Sequence, residues 1–190
     1  MKRIFQFQFW KILVLLLLAV PMFGFGPARV STEEDVQSEI RWRKSRKLNW
    51  DDFQGQAVRG MGMDALTESG ISFSWTCGYR GFEFNTYAMF VPEKSWVRQR
   101  TPALLAHEQL HFDITELHAR KIRKFFRQKG DVCRLGQRAI NAAAQAIIRA
   151  STEMQNLYDR ETRHSENEAE QSRWQQEVAR ALRRYDAWAE

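Results

Sequence analysis

The run His107-Glu108-Gln109-Leu110-His111 places two histidines and a glutamate at a spacing that can hold and use a metal ion. On a helix, positions four apart lie about 40° round the axis and about 6 Å along it, so both imidazoles can reach one ion from the same face. Glu108 then stands beside the ion without being needed as a ligand. That is the arrangement of zinc hydrolysis, in which the metal acidifies a bound water and the glutamate takes its proton as the water attacks a carbonyl. With four histidines in 190 residues, chance would produce the pattern about 0.01 times. It stands out from histidines that merely pack or cap a helix.

A catalytic zinc site usually has three protein ligands and one open position. His118 lies on nearly the same helical face as His111 but about 10.5 Å along the axis, too far to share the ion unless the helix breaks. No Gly or Pro lies between Phe112 and Ala119 to break it. His118 is therefore expected next to the site or at the surface, with Asp113 and Glu116 either supporting the ligands or solvated. The remaining histidine, His164, falls at the junction of two predicted helices, where a ligand would be rigidly held. It is the preferred third ligand, with Asp159 and Glu161 as the alternatives.

The elements that must position these residues can be read from periodicity. Ile71, Phe73 and Trp75 alternate with Ser72, Ser74 and Thr76, Phe82 and Phe84 continue the pattern, and Gly78-Tyr79-Arg80-Gly81 supplies a turn, which predicts an antiparallel hairpin over 71–91 ending at Pro92. Thr101-Pro102 starts a long helix that Gly130 stops. A second helix is expected over about 138–160, and a third from Ser165, where Ser165 and Glu168 form a capping box. Strands followed by helices argue an α+β fold, a small antiparallel sheet packed on three long helices. Residues 48–190 are expected to form a single zincin-like metallohydrolase domain, preceded by a polar lead-in over 29–47 with no core before Leu48-Asn49-Trp50.

Composition narrows the function further. Lys2 and Arg3 lead into nine apolar residues, 12–20, then Pro21 and a Gly26-Pro27-Ala28 stretch, so 1–28 reads as a bacterial-type signal peptide cleaved after Ala28, or as an uncleaved amino-terminal anchor. The clean apolar run is well short of the roughly 20 residues of a spanning helix. Without this segment the formal charge falls from +6 to +3, too balanced to argue for a nucleic-acid surface. An exported chain places Cys77 and Cys133 in an oxidising compartment, where they are expected to pair. The seven Trp and thirteen Phe read as core and hairpin packing, and Arg180, Arg183 and Arg184 as a solvated face.

The sequence resembles the bacterial family of predicted secreted zinc-dependent proteases, domain of unknown function 922. The likeness runs through Leu48-Asn49-Trp50-Asp51-Asp52-Phe53-Gln54-Gly55, Ser69-Gly70-Ile71, Ser95-Trp96-Val97, the run from His107 to Glu116, and Tyr158-Asp159-x-Glu161-Thr162-x-His164. It implies that Tyr158, Asp159, Thr162 and His164 form one characteristic block, without saying which is the ligand. Where the family pattern has Gly after the last histidine, this chain has Ser165.

The expected function is an exported, periplasmic or secreted zinc-dependent hydrolase acting on peptides or proteins of the cell envelope. His107, His111 and His164 would hold Zn2+, with Glu108 as general base. Tyr158 is the candidate to hydrogen-bond the oxyanion, the alternative being a tyrosine that packs between helices. An extended peptide would lie beside an edge of the 71–91 hairpin. The membrane would be a partner only through an uncleaved amino-terminal segment. The rivals are a non-catalytic envelope binding protein stabilised by its metal, and an amidase of cell-wall peptides. Glu108 separates the first of these, because a purely structural site needs no base.

Overall fold

The computed structural model describes residues 39–190 apart from 59 and 61. The signal-peptide reading of 1–28 and most of the 29–47 lead-in lie outside the described residues. In chain order the elements are β1 (Ile40–Arg41), β2 (Ala65–Leu66), β3 (Ser69–Gly78), β4 (Gly81–Phe90), β5 (Trp96–Val97), α1 (Pro102–Gln128), α2 (Gly136–Thr162) and α3 (Glu168–Arg184). Two antiparallel sheets, β1-β4-β3 and β2-β5, accompany the three helices, an α+β fold.

The predicted hairpin is present as β3 and β4, joined at Tyr79-Arg80, with Gly81 at φ 88°, a left-handed backbone that favours glycine. Its alternation works as the period of two requires. Ile71, Phe73, Trp75, Phe82 and Phe84 turn to one face and pack on Ile122, Phe126, Val132, Ile140 and Ala144. Further along, Ala88 and Phe90 meet Phe112, Ala119, Leu48 and Phe53. One face of the hairpin thus covers the length of α1. Opposite it, Leu110 and Ile114 of α1 close a third cluster with Tyr158, Trp174 and Val178. α1 is therefore buried on the sheet side and the helix side alike, as a central helix must be.

Polar residues of α1 tie it to the chain ends. Gln109 accepts from the Leu48 N–H at 2.7 Å and donates to Asp113 at 2.8 Å, and Asp113 accepts from Trp42 Nε1 at 2.6 Å. Packing therefore begins before Leu48: Ile40–Arg41 pairs with β4, and Ile40 and Trp42 lie against the first cluster. Two-residue strands carry too little alternation to be legible. Glu116, expected near the site or in solvent, is instead buried and accepts from Arg120 Nε at 2.8 Å and Arg123 Nη1 at 3.0 Å. Arg123 also donates to the carbonyls of Thr86 and Trp188. A buried carboxylate shared by two arginines meets the requirement that buried charge be paired.

Helix ends follow their caps with one exception. Thr101 accepts from the Leu104 N–H at 3.2 Å and opens α1, as expected. α3 starts at Glu168, not Ser165, because Asn167 caps it by accepting from Glu170 N–H. Arg163, His164 and Ser165 all have left-handed φ, 51°, 53° and 80°, which no helical start allows. Cys77 and Cys133 are joined, with Cα atoms 5.9 Å apart, fastening the hairpin tip to the α1–α2 connection. Among the described residues no helix is long and apolar enough to cross a membrane.

The disulfide generates the first prediction. Replacing both cysteines by alanine should destabilise the folded chain by up to about 4 kcal/mol, the chain-entropy value for a loop of this size. Urea unfolding of the two proteins measures it. Equal midpoints and slopes would show that the crosslink constrains nothing.

Candidate metal centre

α1 presents His107 and His111 on one face, and the last turn of α2 brings Asp159 against them. Asp159 Oδ1 lies 3.2 Å from His107 Nε2 and 3.0 Å from His111 Nε2, and the two Nε2 atoms are 3.2 Å apart. These three residues form the group that could hold a metal ion. Donors on a tetrahedron with bonds of about 2.0–2.1 Å stand about 3.3–3.4 Å from one another, so the triangle has nearly the required edge.

The protonation pattern sharpens the point. His107 Nδ1 is 3.1 Å from Gln171 Oε1, and His111 Nδ1 is hydrogen-bonded to Gln155 Oε1. Each carbonyl oxygen only accepts, so each Nδ1 carries the hydrogen and each Nε2 is a bare lone pair. With both rings neutral, two lone pairs and a carboxylate oxygen converge, an arrangement that calls for a cation. A proton is the simplest such cation. Burial works against a charged His111, but the hydrogen bond and charge of Asp159, with the charge of Glu108, raise its affinity for a proton. Burial likewise opposes ionisation of Asp159, yet the hydrogen bonds and charge that His107 and His111 offer when protonated hold its carboxyl well below the usual range.

A cavity of about 100 Å³ opens onto this trio, lined also by Glu108, His164, Leu104 and the β2 segment from Met63 to Thr67. Glu108 is 3% exposed, and among the described residues no group donates to its carboxylate. The donor set is therefore three protein groups with an accessible side and a buried, unengaged carboxylate beside it. Structural zinc sites are closed by protein, whereas sites of this open kind leave a position for a reactant.

The side chains that the structure groups differ from the expected ligand set at one position. His164, the preferred third ligand, sits on the cavity rim with its side chain 53% exposed and Nδ1 3.7 Å from Asp159 Oδ1. Its left-handed backbone just beyond the α2 C-cap swings the ring outward, while Asp159, still helical, stays on the inner face. Asp159 was the alternative and completes the trio. Glu161, the other alternative, is taken by Arg173 and by Trp174 Nε1 at 2.7 Å. Tyr158 does not line the cavity. It is fully buried, its ring stacks on His107 with centroids 4.5 Å apart, and its hydroxyl donates to Gln171 Oε1 at 2.7 Å. Burial pushes that hydroxyl far above the usual range, and Tyr158 braces His107 with its hydroxyl turned to Gln171, as in the packing alternative. His118 is not a surface residue but fully buried, donating from Nδ1 to the Ile114 carbonyl and accepting at Nε2 from Lys121, each at 2.9 Å.

Gln155 and Gln171 escaped the sequence reading. Gln155 precedes Tyr158 by three and Asp159 by four, so the three share a face of α2, and that spacing was the available signal. Gln171 carried none.

Residues 91–165 match the family described as "Bacterial protein of unknown function (DUF922)". The match spans His107, Glu108, His111, Asp159 and His164, and it supports the family resemblance while naming no activity. Comparison with curated proteins and with solved structures found no match.

Two predictions follow from the geometry. Asp159→Ala should weaken divalent-metal binding by more than about 100-fold, beyond what loss of a supporting residue does, while His164→Ala should leave it nearly unchanged. Chelator competition decides. Metal lost with His164 and kept without Asp159 would reverse the ligand assignment. The other concerns His118, whose pKa is lowered to about 4 by burial and by the charge of Lys121, against the opposing Ile114 carbonyl. A folded pKa below the ordinary value means that the unfolded chain takes the proton first, so stability is whole above pH 6.5 and is lost as the pH falls toward 4. Relative to wild type, His118→Gln should remove about 2–3 kcal/mol of the stability lost between pH 7 and 4.5. Urea unfolding at both pH values checks it, and parallel losses in the two proteins would refute the assignment.

Proposed function

We propose that this chain is an exported zinc-dependent hydrolase acting on peptides or proteins of the cell envelope. What supports the reading is one conjunction: bare donor atoms of His107, His111 and Asp159 facing each other within about 3 Å, beside a buried Glu108 that nothing engages. Two imidazoles and a carboxylate in near-tetrahedral spacing suit Zn2+. Bound there, the ion supplies Lewis acidity, lowering the pKa of water and polarising a carbonyl.

The chain's own residues supply the rest. Glu108, next to the open side of the trio, accepts the proton of the attacking water and passes it to the leaving amine. His164 on the rim, rather than the buried Tyr158, is the side chain placed to donate a hydrogen bond to a developing oxyanion. The edge strand is likewise reassigned: the cavity is lined by β2 and its flanks, not by the long hairpin. β2 pairs with β5, and among the described residues no strand pairs with its other edge, which is where an extended substrate lying across the cavity would add. An unengaged, buried base beside an accessible donor set weighs against a metal with only a stabilising role.

Glu108→Gln should keep one metal per chain and lower hydrolysis of a mixed peptide library by about 10²–10⁴-fold or more. Metal analysis and cleavage assays on the same preparation test this. Activity within about tenfold of wild type would remove Glu108 as the base.

A further inference from the structure

We infer that Gln171 and Gln155 are positioning residues that commit His107 and His111 to the metal-binding tautomer, a neutral-amide support for the centre. The inference rests on the metal site proposed above. Its geometry is the pair of contacts in which the Nδ1 of each histidine meets an amide oxygen, His107 with Gln171 of α3 and His111 with Gln155 of α2.

The orientation of each amide is fixed from elsewhere. Gln155 Nε2 donates to Thr115 Oγ1 at 3.2 Å, and Thr115 spends its own hydrogen on the His111 carbonyl at 3.0 Å. Ser69 Oγ, at 2.8 Å, is left to donate to Thr115. Turned over, Gln155 would face Thr115 with an oxygen where an acceptor already stands. The chain of bonds therefore runs one way only, and it ends with the Gln155 oxygen at His111.

Gln171 presents the sharper case. Its oxygen accepts from Tyr158 and from His107, while its Nε2, buried, has no partner among the described residues. Buried donors are nearly always satisfied, so an orphan asks for a reason. The alternative orientation would aim an N–H at His107 Nδ1, shift the ring hydrogen to Nε2, and abolish the donor that faces Asp159 and His111. The unpaired amide hydrogens are what holding His107 in the metal-binding form leaves over. Metal-ligating histidines are often supported by carboxylates. A neutral amide fixes the tautomer without adding negative charge, so the ion's charge is offset by Asp159 alone among its ligands.

The test uses the full chain, Zn2+, chelator competition and two substitutions. Gln171→Met keeps the size and removes the acceptor, and should weaken Zn2+ binding about 10–100-fold. Gln171→Glu keeps the acceptor and should bind at least as tightly as wild type. Nitrogen-resolved NMR of the zinc-loaded protein should place hydrogen on Nδ1 of both histidines, with the His107 signal lost in Gln171→Met. Gln155→Met should do the same to His111, and thermal unfolding of the metal-free proteins verifies that the variants fold. Tight binding by Gln171→Met, equal losses in Met and Glu, or a His107 hydrogen on Nε2 would overturn the inference. A wild-type chain that binds no stoichiometric zinc would overturn the metal reading itself, and the assignment with it, a result distinct from the others.

Discussion

Three electron-rich atoms held about 3 Å apart inside a protein repel one another, and the remainder of the structure is organised to keep them there. His107 and His111 cannot separate, because both belong to one helix buried on its sheet and helix sides. Asp159 cannot withdraw, because Tyr158 beside it is wedged in the core against His107, Trp174 and Val178. Preorganisation of this kind places the desolvation and repulsion in the folding of the chain, so that a cation arriving at the trio meets donors already arranged for it. Set against the cost of burial, the negative charges of Asp159 and Glu108 also draw a proton to His111.

Rigidity of α1 is the condition for all of this, and it is secured at several levels. Aromatic packing fixes its sheet side, with Phe126 against Phe73, Phe82 and Phe84, and Phe112 against Phe90. The polar residues then fix its rotation: Asp113 is bound by Trp42 and Lys47 from outside the helix, and Glu116 orients Arg120 and Arg123 of α1 itself, which reach out to the Leu182 and Trp188 carbonyls. A helix held only by apolar contacts could roll by a fraction of a turn. These bonds forbid it, and a roll is what would misplace two histidines about 40° apart round the axis.

Sequence periodicity reveals what is local. The histidine spacing, the Thr101 cap and the alternation of the 71–91 hairpin each depend on residues a few positions apart, and each reappears in the structure. Asp159 and His164 could not be ranked that way, because the choice between them depends on where α2 ends in space and which way its last residues turn. β1, β2 and β5, two residues each, have no period to read. Glu116, Arg120 and Arg123 do follow helical spacing, and a solvated reading of Glu116 was overturned by tertiary burial. Gln171 lies 64 positions from its histidine, a separation no local pattern spans.

Ser165, at a position where the family resemblance implies glycine, acquires a physical meaning at this point. Ser165 has φ 80° and closes three consecutive left-handed residues, each of which is disfavoured for a side chain with a Cβ by about 1–2 kcal/mol. The turn persists because its surroundings determine it twice over: His164 N–H returns to the Asp159 carbonyl, Asn167 N–H to Thr162, and Glu161 is held by Arg173 and Trp174. Strained backbone that is this well braced tends to stand at a working site, and here it sets two side chains of one segment on different errands. Asp159, before the reversal, is kept against the two histidines. His164, within it, is turned onto the rim, where it can meet whatever enters the cavity. Glycine at 165 would relax the last of the three residues, and it would also loosen the one segment that keeps the rim histidine and the half-buried carboxylate apart.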